Sequence, residues 1–376
     1  MTAIEEYFKY ATLATASYVR LGTDVTQSID PVIGGARFAR LAREQDRIPS
    51  ELGNFYFDSA NSYGAPVWKI SSYYGGDLPA NQDQQAASDK SGFGATLFER
   101  AGEKVLAMRG TESGEDQRVD LLSADLGQIG FLGLALTQVV SMANYVMRLR
   151  GVGTNVRQLK VEASLELPLT SNSFLRAAGD SLLNAPYVYF IFSEAERATG
   201  LGKIQAGDSV SLTGHSLGGH LAYIAARLFP DIFDSRATVF NSAGYDPSTA
   251  NLVELIGLLG GPLGIVSAGV AAIFKEGIAQ ELGPAANRLE THANQFATQS
   301  VEKIRSVLFP GEAFVQGVPD VVSIRSEDLY LGDDLSLVAS RATGADKYGA
   351  PIELPTEENN HVIEPFMDAL ALGALI

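Results

Sequence analysis

The run Ser209-Val210-Ser211-Leu212-Thr213-Gly214-His215-Ser216-Leu217-Gly218-Gly219-His220 constrains the fold more than any other stretch of the chain. Apolar residues alternate up to Thr213, a Gly-x-Ser-x-Gly pattern follows, and Leu221, Ala222, Ile224, Ala225 and Leu228 then form an alanine-rich helical run. The expected path is strand, sharp turn, helix. At such a turn Ser216 takes a strained backbone conformation, and Gly214 and Gly218 leave out the side chains that would collide across it. The hydroxyl is thereby lifted clear of the sheet, and the Leu217 N–H at the start of the helix faces any anion forming beside it. The bare pattern also occurs as a plain glycine-rich turn, so the flanking strand and helix are what give it meaning.

A serine nucleophile requires a base, and the chain has 4 histidines. His215 adjoins the nucleophile and is expected to point away from it. His220, one turn along the helix, reads as a core residue, and His292 lies in the polar run Glu290-Thr291-His292-Ala293-Asn294. His361 remains, in a polar loop before a final apolar helix over 362–376, with Pro365 where a first helical turn tolerates it. In the Ser, acid, His chain order the base arrives on such a late loop. The third member should be a carboxylate following a core strand, because it must hold the imidazole in one tautomer and stabilise its charged form. Asp328 fits best, after the strand Val321-Val322-Ser323-Ile324, with Glu327, Asp333, Asp334 and Asp246 as alternatives.

A second oxyanion donor is expected where the strand Val105-Leu106-Ala107-Met108 ends in Arg109-Gly110-Thr111. Gly110 allows close backbone approach, and Thr111 offers both an N–H and a hydroxyl. Phe93 to Phe98 and Val105 to Met108 read as a hairpin around the polar turn 99–104.

Elsewhere the chain is less explicit. Residues 3–20 carry mixed helical spacing, and 22–90 should be irregular with short elements. Gly130 to Arg150 is apolar on nearly all sides, as in a helix that is buried or faces lipid. Phe174 to Ala198 reads as a helix leading into the elbow strand, Thr238-Val239-Phe240 as a core strand, and Glu281 to Leu308 as a surface helix. Leu255 to Phe274 is twenty residues without a charge. That is long enough for a membrane span, but Gly257, Gly260, Gly261, Pro262, Gly264 and Gly269 break it into two short helices, a flap or core pieces rather than a stable transmembrane span.

Composition closes off other classes. With Lys+Arg 28 against Asp+Glu 44, the formal charge of −16 repels nucleic acid and anionic membranes. The absence of Cys removes disulfides, thiolate nucleophiles and cysteine metal sites. The acidic start Met1-Thr2-Ala3-Ile4-Glu5-Glu6 is unlike a secretory signal.

Together, Val105 to Thr111, Asp125 in Ser123-Ala124-Asp125-Leu126, and Val210 to Gly219 resemble the oxyanion strand, the aspartate after it and the elbow of class 3 lipases. Ile324 to Asp328 and His361 fit that family's remaining positions, the likeness running over roughly 93–370. Within the family the chain resembles most the bacterial lipases exported without a cleaved signal peptide, although it has none of their calcium-binding repeats. The resemblance implies export over residence in the cytoplasm, and leaves calcium open.

The expected architecture is one α/β domain of the α/β-hydrolase fold over 1–376. It has a mostly parallel central sheet flanked by helices, an N-terminal extension over 1–90, and apolar lid-like insertions at 129–150 and 252–286. The expected activity is serine ester hydrolysis of long-chain acyl glycerols at a lipid–water interface. Ser216, Asp328 and His361 are the catalytic residues, Thr111 and Leu217 form the oxyanion hole, and no cofactor is required. A phospholipase A1 or a short-chain esterase would use the same triad, and an inactive lipid-binding or scaffold protein is the rival from another class.

Overall fold

The computed structural model describes residues 3–21, 35–78, 83–110, 135–164, 174–177, 188–242, 295–314, 320–326 and 352–354. Its centre grows from the expected hairpin. Strands β2 (Ala95–Arg100) and β3 (Glu103–Met108) pair antiparallel from Ala95↔Met108 to Arg100↔Glu103. The two residues between them, Ala101 and Gly102, have φ of 49° and 88°. Positive φ at both positions gives the turn whose twist matches that of the flanking strands. On the outer side of β2, β1 (Lys69–Tyr74) pairs antiparallel, so the segment before residue 90 supplies a strand to the main sheet.

On the other side of β3 the sheet becomes parallel. Strand β7 (Val210–His215) pairs with β3, β8 (Phe233–Phe240) with β7, β9 (Asp320–Ser326) with β8, and β10 (Ile352–Leu354) with β9. The order is β1-β2-β3-β7-β8-β9-β10, a mixed α/β arrangement on a mostly parallel central sheet. Val105, Leu106, Val210, Leu212, Ala237 and Val239 are all buried, as expected of parallel strands covered on both faces.

Side-chain alternation along β7 shows how the faces are covered. Thr213 Oγ1 lies 3.3 Å from the Tyr10 carbonyl of α1 (Ala3–Ala16), whereas a side chain on Gly214 would strike Gly218 of α6 (Leu217–Leu228). Neighbouring strand residues point to opposite faces, so α1 and α6 cover opposite sides of the sheet. Helices α2 (Gly35–Glu44) and α3 (Ser50–Phe57) pack together, with Phe38 and Phe57 in ring contact at 4.6 Å, and α4 (Gln84–Ser88) is a short turn of helix. Helix α5 (Leu136–Arg150) packs against α6 and against β4 (Leu159–Ser164).

Several expectations change. The described residues of the stretch from Phe174 to Ala198 form no helix: β5 (Phe174–Ala177) and β6 (Val188–Glu194) join β4 in a small antiparallel sheet of order β4-β6-β5. Val188-Tyr189-Phe190-Ile191-Phe192 is a β-branched and aromatic run that fits a pleated surface. Within the proposed cover at 129–150, the described part is a core helix. Val139, Met142, Tyr145, Val146 and Leu149 are buried, and buried Asn144 bonds Leu159 through both its amide atoms. That packing leaves no lipid-facing stripe on α5. The helix over residues 295–308 is half buried rather than a surface element, with Phe296, Val301, Ile304 and Leu308 in the core and Phe296 against Phe190 of β6. The candidate cover at 252–286, residues 281–294 and the final helix over 362–376 lie outside the described residues. Among the described residues no helix is long and apolar enough to cross a membrane.

One buried ion pair ties α5 to the loop before α4. Arg148 Nη1 donates to both carboxylate oxygens of Asp83, at 3.1 and 3.0 Å, with side-chain exposures of 8% and 11%. Asp83 also accepts the N–H groups of Gln85 and Ala86, capping α4. Removing the carboxylate strands a buried guanidinium. Asp83→Ala is therefore expected to lower the unfolding free energy by about 3–5 kcal/mol, read from urea melts of both proteins.

Candidate active site

Strand β7 ends at His215 and α6 begins at Leu217, leaving Ser216 alone to make the turn. Its backbone sits at φ 55°, ψ −126°. L residues rarely occupy such a region, and holding one there costs about 1–3 kcal/mol. The surroundings enforce it. The Ser216 N–H donates to the Phe240 carbonyl at the end of β8 (3.0 Å), and the Ser216 carbonyl accepts from Gly219 (3.0 Å) and His220 (3.4 Å). A Cβ on Gly214 would lie 2.3 Å from the Gly218 carbonyl oxygen, and one on Gly218 would lie 2.1 Å from that of Met108. The turn therefore closes tightly on itself and on β3. From Leu212 to Ala222 every residue except Ser216 is buried.

The end of β3 lies against this turn. A Cβ on Gly110 would stand 2.6 Å from the His215 carbonyl and 3.3 Å from Ser216 Cβ, so only backbone fits between strand and serine. The pairings Met108↔Gly214, His215↔Phe240 and Phe240↔Ile324 bring the C-terminal ends of β3, β7, β8 and β9 to one edge of the sheet. That edge is where open α/β sheets bind ligands. Leu217 is buried as the first residue of α6, where the helix leaves N–H groups without intrahelical acceptors.

Of the expected site residues the structure describes Ser216 and Leu217; Thr111, Asp328 and His361 lie outside the described residues. The described strands end just before two of them, β9 at Ser326 ahead of Asp328 and β3 at Met108 ahead of Thr111. Both described histidines tie elements together. His215 is buried with Nδ1 3.1 Å from the Tyr18 hydroxyl, and His220 is fully buried with Nε2 accepting the Ala135 N–H at 3.3 Å. His292 is outside the described residues. Among the described residues no group of three or more His, Asp or Glu could hold a metal ion.

Sequence reasoning missed two features of this edge. Tyr18, just past α1, reaches both Gly110 and His215. Nothing in the run Ala16-Ser17-Tyr18-Val19 signals this role, because the partners lie some ninety and two hundred positions away. Arg109 is the other. It is buried, with its guanidinium 2.7 Å from the place a Gly94 side chain would occupy. Nearby, Tyr73 donates to Asp77. Burial raises the Tyr73 phenol well above its usual range, Arg109 opposing and Asp77 adding to the shift, so the ring stays a neutral donor.

The collision at Gly218 is with backbone, which cannot step aside. Gly218→Ala is expected to cost about 3 kcal/mol in unfolding free energy. Gly153→Ala, at φ 78° with nothing within 4 Å, should cost only about 1–2 kcal/mol of strain; equal losses in the two melts would contradict the close packing of elbow on strand.

No family model matches the chain, and no curated protein or solved structure matches it either.

Proposed function

We propose that the chain is a serine ester hydrolase of the α/β-hydrolase fold, a lipase similar to class 3 lipases and acting on long-chain acyl glycerols. The observation that carries this reading is Ser216 itself: the one partly exposed residue in a buried run, in a strained conformation, beside the backbone of Gly110. Strain of this kind is kept where a surrounding structure over-determines it, and such positions cluster at functional sites. The preference for long acyl chains rests on the resemblance and on the uncharged sequence from Leu255 to Phe274.

In this reading His361 takes the proton from the Ser216 hydroxyl as its oxygen attacks the ester carbonyl. The N–H of Leu217 and the N–H and hydroxyl of Thr111 hold the oxyanion, and Asp328 steadies the imidazolium. Collapse of the tetrahedral intermediate expels the alcohol, protonated by the same imidazole, and leaves an acyl group on Ser216. Water, deprotonated by His361, then attacks that ester and releases the fatty acid. This chemistry requires no cofactor.

An alkyl p-nitrophenyl phosphonate should add its phosphonyl group to Ser216, found by mass spectrometry of the digested protein, and Ser216→Ala should lose on the order of 10⁶ in turnover. Folded protein that takes up no phosphonate, or an alanine variant that keeps its rate, would refute the hydrolase reading. As a lipase, the protein should also hydrolyse an ester faster per molecule once the substrate passes its solubility limit; a flat profile across that limit would point to an esterase acting on dissolved esters.

A further inference from the structure

We propose that Tyr18 is a positioning residue that locks the end of β3 to the elbow, holding the oxyanion donors in register with Ser216; this rests on the hydrolase reading. One phenolic oxygen serves both sides. The Gly110 N–H donates to Tyr18 Oη at 3.1 Å, and the same oxygen lies 3.1 Å from Nδ1 of His215, the residue before the nucleophile. A phenol that accepts from a backbone N–H still has its own hydrogen to give. In the His215 tautomer that carries its ring proton on Nε2, Nδ1 accepts that hydrogen and one phenol bonds both sides.

The need for such a clamp follows from Gly110. A glycine is required there because a Cβ would meet Tyr18 Oη at 2.5 Å and the His215 carbonyl at 2.6 Å. Glycine is also the residue least able to hold its own conformation. Thr111, the proposed donor, follows it directly in sequence, so the Arg109–Gly110 peptide leads into that donor. Oxyanion donors act only when pre-set at the right distance, so a free hinge one residue upstream would cost rate. Tyr18 can hold it because Tyr18 is itself held. The hydroxyl-bearing ring is buried, its N–H bonds the Thr15 carbonyl at the end of α1, and the Arg47 guanidinium lies over the ring at 5.9 Å. Helix α1 is in turn seated on β7, where Thr213 meets Tyr10.

The test is a set of hydroxyl and acceptor deletions read by ester kinetics, with active sites counted by phosphonate titration. Tyr18→Phe keeps the ring and removes the clamp. It should lower kcat roughly 10- to 100-fold, with KM within about twofold and a parallel drop in the rate of phosphonylation of Ser216. His215→Leu should fall to the same level, while His215→Asn, whose amide oxygen can accept near the place of Nδ1, should stay within about threefold of the parent protein. Because the three groups act as one unit, the double variant Tyr18→Phe, His215→Leu should be no worse than the poorer single. An unchanged kcat in Tyr18→Phe, losses that multiply in the double variant, or a loss that disappears once rates are divided by titrated sites would overturn the proposal. If the parent protein takes up no phosphonate, the hydrolase reading falls and this inference with it. Labelling of the parent at a rate equal to that of Tyr18→Phe removes the inference alone.

Discussion

A single steric constraint governs the site: β7 must become α6 within one residue. Ser216 makes that turn at a positive φ, and nothing in an isolated serine peptide would favour it. The conformation survives because its own N–H and C=O are bonded to the end of β8 and to the first turn of α6. It also survives because Gly214 and Gly218 let backbone meet backbone where side chains would forbid it. Strain, burial on both sides and partial exposure of one serine are thus three results of the same packing. A few kcal/mol of local cost is affordable only because the sheet and both covering helices form one continuous core.

The N-terminal helix is part of this arrangement. Helix α1 lies on the face of the sheet opposite α6, touches the central strand through Tyr10 and Thr213, and delivers Tyr18 to the junction of β3 and β7. Residues near the start of the chain and residues in its middle therefore meet at the edge where the parallel strands end. Burial of Lys9 in an ion pair with Glu103 of β3 fastens the same helix further down the strand.

Local signals were legible in the sequence, and long-range ones were not. Alternation, paired glycines and an alanine-rich helix announced the elbow. The polar break at 99–104 announced the hairpin, and the strands around Val239 and Val322 were plain apolar runs. The stretch from Phe174 to Ala198 misled because its apolar count suits a helix, while the branched and aromatic residues from Val188 to Phe192 carry the stronger preference for a strand. Helix α5 misled in another way: an all-round apolar surface fits core and lipid equally. Only packing on α6 and the Asn144 bonds to β4 decide for the core. Tyr18 had no readable signal, because its partners are brought to it by tertiary packing alone. The acid and base of the proposed triad are sequence readings, from the strand ahead of Asp328 and the late loop of His361.

The proposed chemistry depends on Ser216 as a nucleophile whose geometry is set before substrate arrives. A crystal structure of the protein carrying an alkyl phosphonate on Ser216 tests that most directly. The prediction is a phosphonyl oxygen within about 3.1 Å of the Leu217 N–H, the His361 imidazole within hydrogen-bonding reach of Ser216 Oγ, and a Ser216 φ still near 55°. A Ser216 relaxed into ordinary helical or extended backbone, or an adduct oxygen turned to solvent with His361 remote from the serine, would contradict it.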